Sequence, residues 1–263
     1  MHIACIHAHP DDAEILAGGT LALLAASGNK ITIISMTVGD CGSSSLSSKE
    51  IPVIRQREAA ASAKLIGADY QCAKFRDLAI FNNDESRRRV TELIRKTRPD
   101  VILTASPVDY HCDHEATSVL VRDASFAASV PNYATNAKDP APPLHAIRHL
   151  YFMDSLGGVD RFGATIAPDF IVNVKTTFKT KRQMLAAHES QREWLKRQHG
   201  IDDPLQVMER WTRARGKLAG IDFGEGFRRY NGHPFPDTPL LEDLLGSKVV
   251  GLGTRDCCDT LRS

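Results

Sequence analysis

Short apolar runs alternate with helix-forming stretches along the first half of the chain. Residues 2–8 (HIACIHA) are apolar and stop at a polar cluster, 17–28 have helix composition ending at Gly28, and 31–37 (ITIISMT) are β-branched. Residues 53–66 again favour helix, with Gly67 as a stop. A short strand is expected near Gln71–Phe75, a helix over 84–98 with Pro99 beyond its end, and a strand over 100–105. Strands separated by helical crossovers pair in parallel, with the helices packed on the two faces. The order β-α-β-α-β-α-β therefore predicts an α/β fold: a Rossmann-like three-layer sandwich with a mostly parallel sheet.

Beyond residue 105 the pattern predicts helices over 114–129 and 204–219, one long charged helix over 179–199, and strands over 148–153 and 169–174. Residues 39–51, rich in Gly and Ser, and 131–145, rich in Pro, Asn and Ala, read as loops. The segment 221–240 is rich in Gly, Pro and aromatics and reads as an ordered excursion. With no internal repeat and no linker, residues 1–263 are expected to form a single domain, with 221–263 as a C-terminal extension packed on it. Cys257 and Cys258 fall in its tail.

Lys and Arg together number 33 and Asp and Glu 32, so bulk positive charge offers no means of holding nucleic acid. No apolar run approaches the ~20 residues that span a membrane. The N-terminus has no basic region and meets two acids by residue 12, unlike a secretory signal. The six cysteines are scattered, with no zinc-finger spacing, as expected of reduced thiols in a cytoplasmic protein.

The polar clusters carry the chemistry. The first strand runs into His9-Pro10-Asp11-Asp12-Ala13-Glu14, and the strand at 100–105 runs into Asp109-Tyr110-His111-Cys112-Asp113-His114-Glu115. In open α/β sheets, ligands bind beyond the carboxyl ends of strands, so the two clusters can meet. Adjacent carboxylates repel, and a divalent cation relieves that repulsion. His9 and Asp12 with His114 make a two-histidine, one-carboxylate set, familiar in open zinc sites. Asp11 is then free to act as a general base, and His111 to stabilise an oxyanion or donate a proton. Gly18-Gly19 lies too far past the first strand for a dinucleotide-binding glycine loop.

These residues resemble the PIG-L/LmbE-like zinc-dependent N-deacetylases. His9-Pro10-Asp11-Asp12-x-Glu14 followed by Gly18-Gly19-Thr20 resembles the first signature of that family. His111-Cys112-Asp113-His114 resembles the second, with Cys112 in place of the usual proline. Thr37-Val38-Gly39-Asp40, Arg55-x-x-Glu58-x-x-x-Ser62-Ala63 and Lys181-x-x-Met184-x-x-x-His188-x-Ser190-Gln191 are similar to supporting motifs, so the resemblance spans roughly residues 2–195. It implies one Zn²⁺ per chain, held by His9, Asp12 and His114. It implies Asp11 as general base, His111 as stabiliser of the tetrahedral intermediate, and Asp113 as the residue that orients His111. Arg55 and Asp77, with Glu14, are assigned to substrate binding. The implied function is removal of the N-acetyl group from an N-acetylglucosamine-type sugar or glycoside, releasing acetate, by a cytoplasmic homo-oligomer (trimer or hexamer). The alternatives are a non-catalytic sugar-binding protein, a zinc amidohydrolase acting on a non-sugar amide, and a different zinc hydrolase such as a phosphoesterase.

Overall fold

A computed structural model describes residues 1–199 and 203–252. The elements in chain order are β1 (His2–His7), α1 (Asp12–Ala26), β2 (Lys30–Thr37), α2 (Ile51–Lys64), β3 (Asp69–Phe75), α3 (Asp84–Thr97), β4 (Val101–Thr104), α4 (Cys112–Ala127), β5 (His149–Met153) and β6 (Phe170–Asn173). There follow α5 (Phe178–Ala186), α6 (Glu189–His199), α7 (Pro204–Leu218), β7 (Gly224–Arg229), α8 (Leu240–Leu245) and β8 (Val249–Gly251). The strands form one sheet in the order β3-β2-β1-β4-β5-β7-β6-β8. The first five in that order are parallel, and β7, β6 and β8 pair antiparallel. The architecture is the α/β sandwich read from the sequence.

Alternation along the buried strands produces the layers. Ile3 and Cys5 of β1 join Leu16, Leu21 and Leu24 of α1 on one face. Ala4 and Ile6 join Val90 and Ile94 of α3 and Leu120 and Val121 of α4 on the other. Successive strand side chains point to opposite faces, so an almost wholly apolar run such as 2–8 needs cover on both. From β1 the chain winds to β2 and β3 on one side, then returns to β4 on the other. The carboxyl ends of β1 and β4 thus flank a topological switch point, where such sheets open a crevice.

The structure departs from the sequence expectations in several places, and α8 and β8 were not expected at all. α1 starts at Asp12, five residues before the expected 17, because Asp12 and Glu14 sit in the first turn, where the helix dipole favours acids. The expected single helix over 179–199 is two, α5 and α6, divided at Ala187–His188. The Glu58 carboxylate accepts from Ser190 N (2.9 Å) and Ser190 Oγ (2.6 Å), anchoring the first turn of α6. In its described part, residues 221–252, the extension expected over 221–263 does not only pack on the domain: β7 lies inside the sheet between β5 and β6. Cys257 and Cys258 lie outside the described residues.

β7 also fastens the helix that follows β1. The Glu225 carboxylate accepts from Gly19 N (2.8 Å) and Thr20 N (2.7 Å) in the middle of α1, and from Lys181 Nζ (2.6 Å) of α5. The approach requires glycine at position 19: a Cβ there would stand 2.6 Å from Val174 Cβ. Lys181 and Glu225 are fully buried, so removing one partner strands the other charge in the core. We expect Glu225→Ala to lose about 3–5 kcal/mol of stability in urea unfolding. Gly19→Ala should lose about 1–3 kcal/mol by overpacking.

Candidate metal centre

The loop after β1 is short and bent. Asp11 has φ 115° and ψ −25°, a left-handed conformation rare for a side chain-bearing residue and costing on the order of 1–3 kcal/mol. The surroundings hold it there. Asp11 O accepts from Ile15 N (3.1 Å), and Arg55 Nη2 donates to Pro10 O (2.8 Å). The bend places Asp11 and Asp12, adjacent in sequence, in different environments.

Asp12 Oδ2 is a point of convergence. It lies 2.7 Å from His7 Nδ1, 3.2 Å from His9 Nδ1 and 3.4 Å from His114 Nε2, and it accepts from His9 N at 2.7 Å. His9 and His114 each use their second ring nitrogen on another carboxylate. His9 Nε2 is 3.1 Å from Asp113 Oδ2, and His114 Nδ1 is 3.0 Å from Asp109 Oδ1. Metal-binding histidines are typically held in this way. Burial of Asp12 opposes its ionisation, but the imidazoles of His7, His114 and His9 outweigh it and hold its pKa well below the carboxylate range. Burial lowers the pKa of His9 and His114, but Asp12 and the hydrogen bonds to Asp113 and Asp109 raise them to about 9 and about 10. The cradle is thus built to hold positive charge, and its imidazole and carboxylate donors suit Zn²⁺ or a similar divalent cation.

Asp11 stands beside this cradle. Burial raises its pKa; Arg55, whose Nη2 lies 3.6 Å from Oδ1, opposes the rise, and Asp12 adds to it, giving about 6. His111 caps α4 through Nδ1, which accepts from Asp113 N (3.1 Å). The neutral ring therefore carries its proton on Nε2 and can donate it. Burial and the neighbouring His9 and His114 hold its pKa below the ordinary value. The rings of His9 and His111 stand 4.8 Å apart, and those of His111 and His114 4.9 Å. All six residues assigned to metal and catalysis are thus brought together. The Asp113 carboxylate, however, faces His9 and Leu78 N (2.7 Å), because His111 Nδ1 is already occupied by a backbone N–H.

The residues assigned to substrate lie further back. Arg55 is buried and holds the loops at Pro10 O and Gly39 O. A Cβ on Gly39 would stand 2.6 Å from its Nη1. Glu14 is buried between helices, accepting from Ser62 Oγ (2.6 Å) and lying 3.2 Å from His188 Nε2. Asp77 accepts from Cys41 N (2.8 Å) and leaves Oδ1 buried without a hydrogen-bond partner among the described residues. It adjoins Leu78, whose N–H meets Asp113. Two site residues escaped the sequence reading. His7 is hidden in the strand pattern, and Asp109 was seen in its cluster but given no role.

A cation bound here needs lone pairs on His9 and His114. In the metal-free protein Asp12, Asp113 and Asp109 favour the protonated form of these imidazoles. Binding should therefore release about one proton per imidazole and weaken as pH falls. Calorimetric zinc titrations in buffers of different ionisation enthalpy measure this, and binding without proton release would contradict the electrostatics.

The chain is similar to known proteins over most of its length. Residues 4–125 match the PIG-L family, described as GlcNAc-PI de-N-acetylase. The diacetylchitobiose deacetylase of Thermococcus kodakarensis is 26% identical over 236 residues, covering 86% of this chain and 82% of that one. The 4-oxalmesaconate hydratase of Pseudomonas putida is 26% identical over 150 residues, covering 54% and 58%. The structure of N,N'-diacetylchitobiose deacetylase from Pyrococcus horikoshii superposes with a TM-score of 0.73 at 26% identity, covering 91% of this chain and 88% of that one.

Proposed function

We propose that this chain, a PIG-L family match over residues 4–125, is a zinc-dependent N-deacetylase that hydrolyses the acetamide of an N-acetylglucosamine-type sugar or glycoside to acetate and a free amine. One observation carries the proposal. Asp11 and Asp12 are neighbours in sequence, yet Asp12 is gathered in by imidazoles while Asp11 is turned out of that cluster by its left-handed backbone. A ligand carboxylate beside a free one is the arrangement that amide hydrolysis needs. The diacetylchitobiose deacetylases similar to this chain over most of its length support the sugar substrate.

His9, Asp12 and His114 would hold the cation, with His7 bracing Asp12 from within the strand. A bound divalent cation supplies Lewis acidity toward a carbonyl oxygen and acidifies the attacking water. Asp11 Oδ accepts the proton of that water as it attacks. A carboxylate with a pKa near 6 is ionised at pH 7 and close enough to neutrality to return the proton to the departing amine. His111 Nε2–H donates to the oxygen on which charge develops. A neutral imidazole is suited to this, because it adds a donor without a further positive charge beside the cation. Arg55 keeps Asp11 in place through the Pro10 carbonyl.

The test is acetate release from N-acetylglucosamine and N,N'-diacetylchitobiose by metal-stripped and zinc-reloaded protein. Because one relative is named a hydratase, acetate itself must be the readout. Release should vanish on stripping and return with zinc; a zinc-replete protein that frees no acetate from either sugar overturns the proposal. Asp11→Asn should keep its metal and lose about 10²–10⁴-fold in rate. His114→Ala should lose metal content itself.

A further inference from the structure

We infer, on the metal centre proposed above, that Asp109 is a positioning residue that fixes which nitrogen of His114 faces the metal. Asp109 lies five residues before His114, in the loop between β4 and α4, and is 3% exposed. Its Oδ1 meets His114 Nδ1 at 3.0 Å and accepts from His111 N at 3.1 Å. Its Oδ2 is buried without a hydrogen-bond partner among the described residues. A carboxylate taken out of water needs compensation. Among the described residues, the only side chain that hydrogen-bonds to it is the His114 imidazole.

The consequence lies on the far side of that ring. Donation from Nδ1–H to Asp109 leaves the lone pair on Nε2, the nitrogen that faces Asp12 at 3.4 Å. His9 is arranged in the opposite sense: Nε2 is turned to Asp113, and Nδ1 faces Asp12. Each imidazole is thus backed by its own carboxylate, and the two present different nitrogens to one point. Asp109 is itself held from outside. Its N–H donates to Glu115 Oε1 (3.0 Å), and Arg161 Nη2 grips both Glu115 oxygens (2.6 and 2.8 Å). Arg161 belongs to the segment between β5 and β6, which ties that segment to the loop carrying the ligand.

The test measures zinc affinity by chelator competition rather than turnover. Asp109→Asn keeps the shape of the side chain and removes its charge. It should raise the zinc dissociation constant about 10–100-fold, the usual cost of losing a carboxylate behind a metal-bound histidine. A folded Asp109→Asn protein that binds zinc within twofold of wild type overturns the inference. A second measurement needs no variant. Nitrogen-15 spectra of the zinc-loaded wild type should show His114 with its proton on Nδ1, and a proton on Nε2 overturns the inference equally. A wild-type chain that takes up no divalent metal removes the metal centre and this inference together. Binding by the wild type with no effect of Asp109→Asn removes the inference alone.

Discussion

One carboxylate oxygen organises the centre of this molecule. Imidazole nitrogens of His7, His9 and His114 all approach Asp12 Oδ2, and so many imidazoles would not gather in a buried space without a negative charge to share. Opposite unit charges about 4 Å apart interact by about 4 kcal/mol at an effective dielectric of 20. Burial of the carboxylate opposes that attraction, and the left-handed backbone of Asp11 adds a cost on the order of 1–3 kcal/mol. β1 and β4 are neighbouring parallel strands, and their carboxyl ends bring His9 and Asp12 from one side and His114 from the other.

The parts legible in the sequence are those where polarity breaks a pattern abruptly. The apolar run of β1 ending in His9-Pro10-Asp11-Asp12, and the run of β4 ending near His111-Cys112-Asp113-His114, announce both strands and both halves of the centre. His7 was illegible for the same reason in reverse. It lies within the strand, where a single histidine in an apolar run reads as core. The early start of α1 is hidden because acidic residues read as loop, although Asp12 and Glu14 fit well in a helical first turn.

The direction in which a polar side chain faces was least legible. Arg55 and Glu14 carry chemistry suited to a sugar, yet Arg55 turns to loop carbonyls and Glu14 to Ser62 and His188. Asp113 was expected at His111 and its carboxylate lies against His9 instead. In each case the outcome depends on which neighbour has a hydrogen-bonding group left to offer, and that is settled by packing across elements far apart in sequence.

The stretch matching the PIG-L family ends at residue 125, whereas the carboxylate that reaches the backbone of α1 at Gly19 and Thr20 comes from Glu225. α1 begins with Asp12. The recognisable motif segment is consequently not a portable module. Recombination that exchanged the chain beyond α7 for an unrelated sequence would keep both His/Asp signatures and yet remove the carboxylate that fastens the helix on which one of them is mounted. Sequence drift in the C-terminal part is therefore bounded by a requirement that no motif in the N-terminal part records.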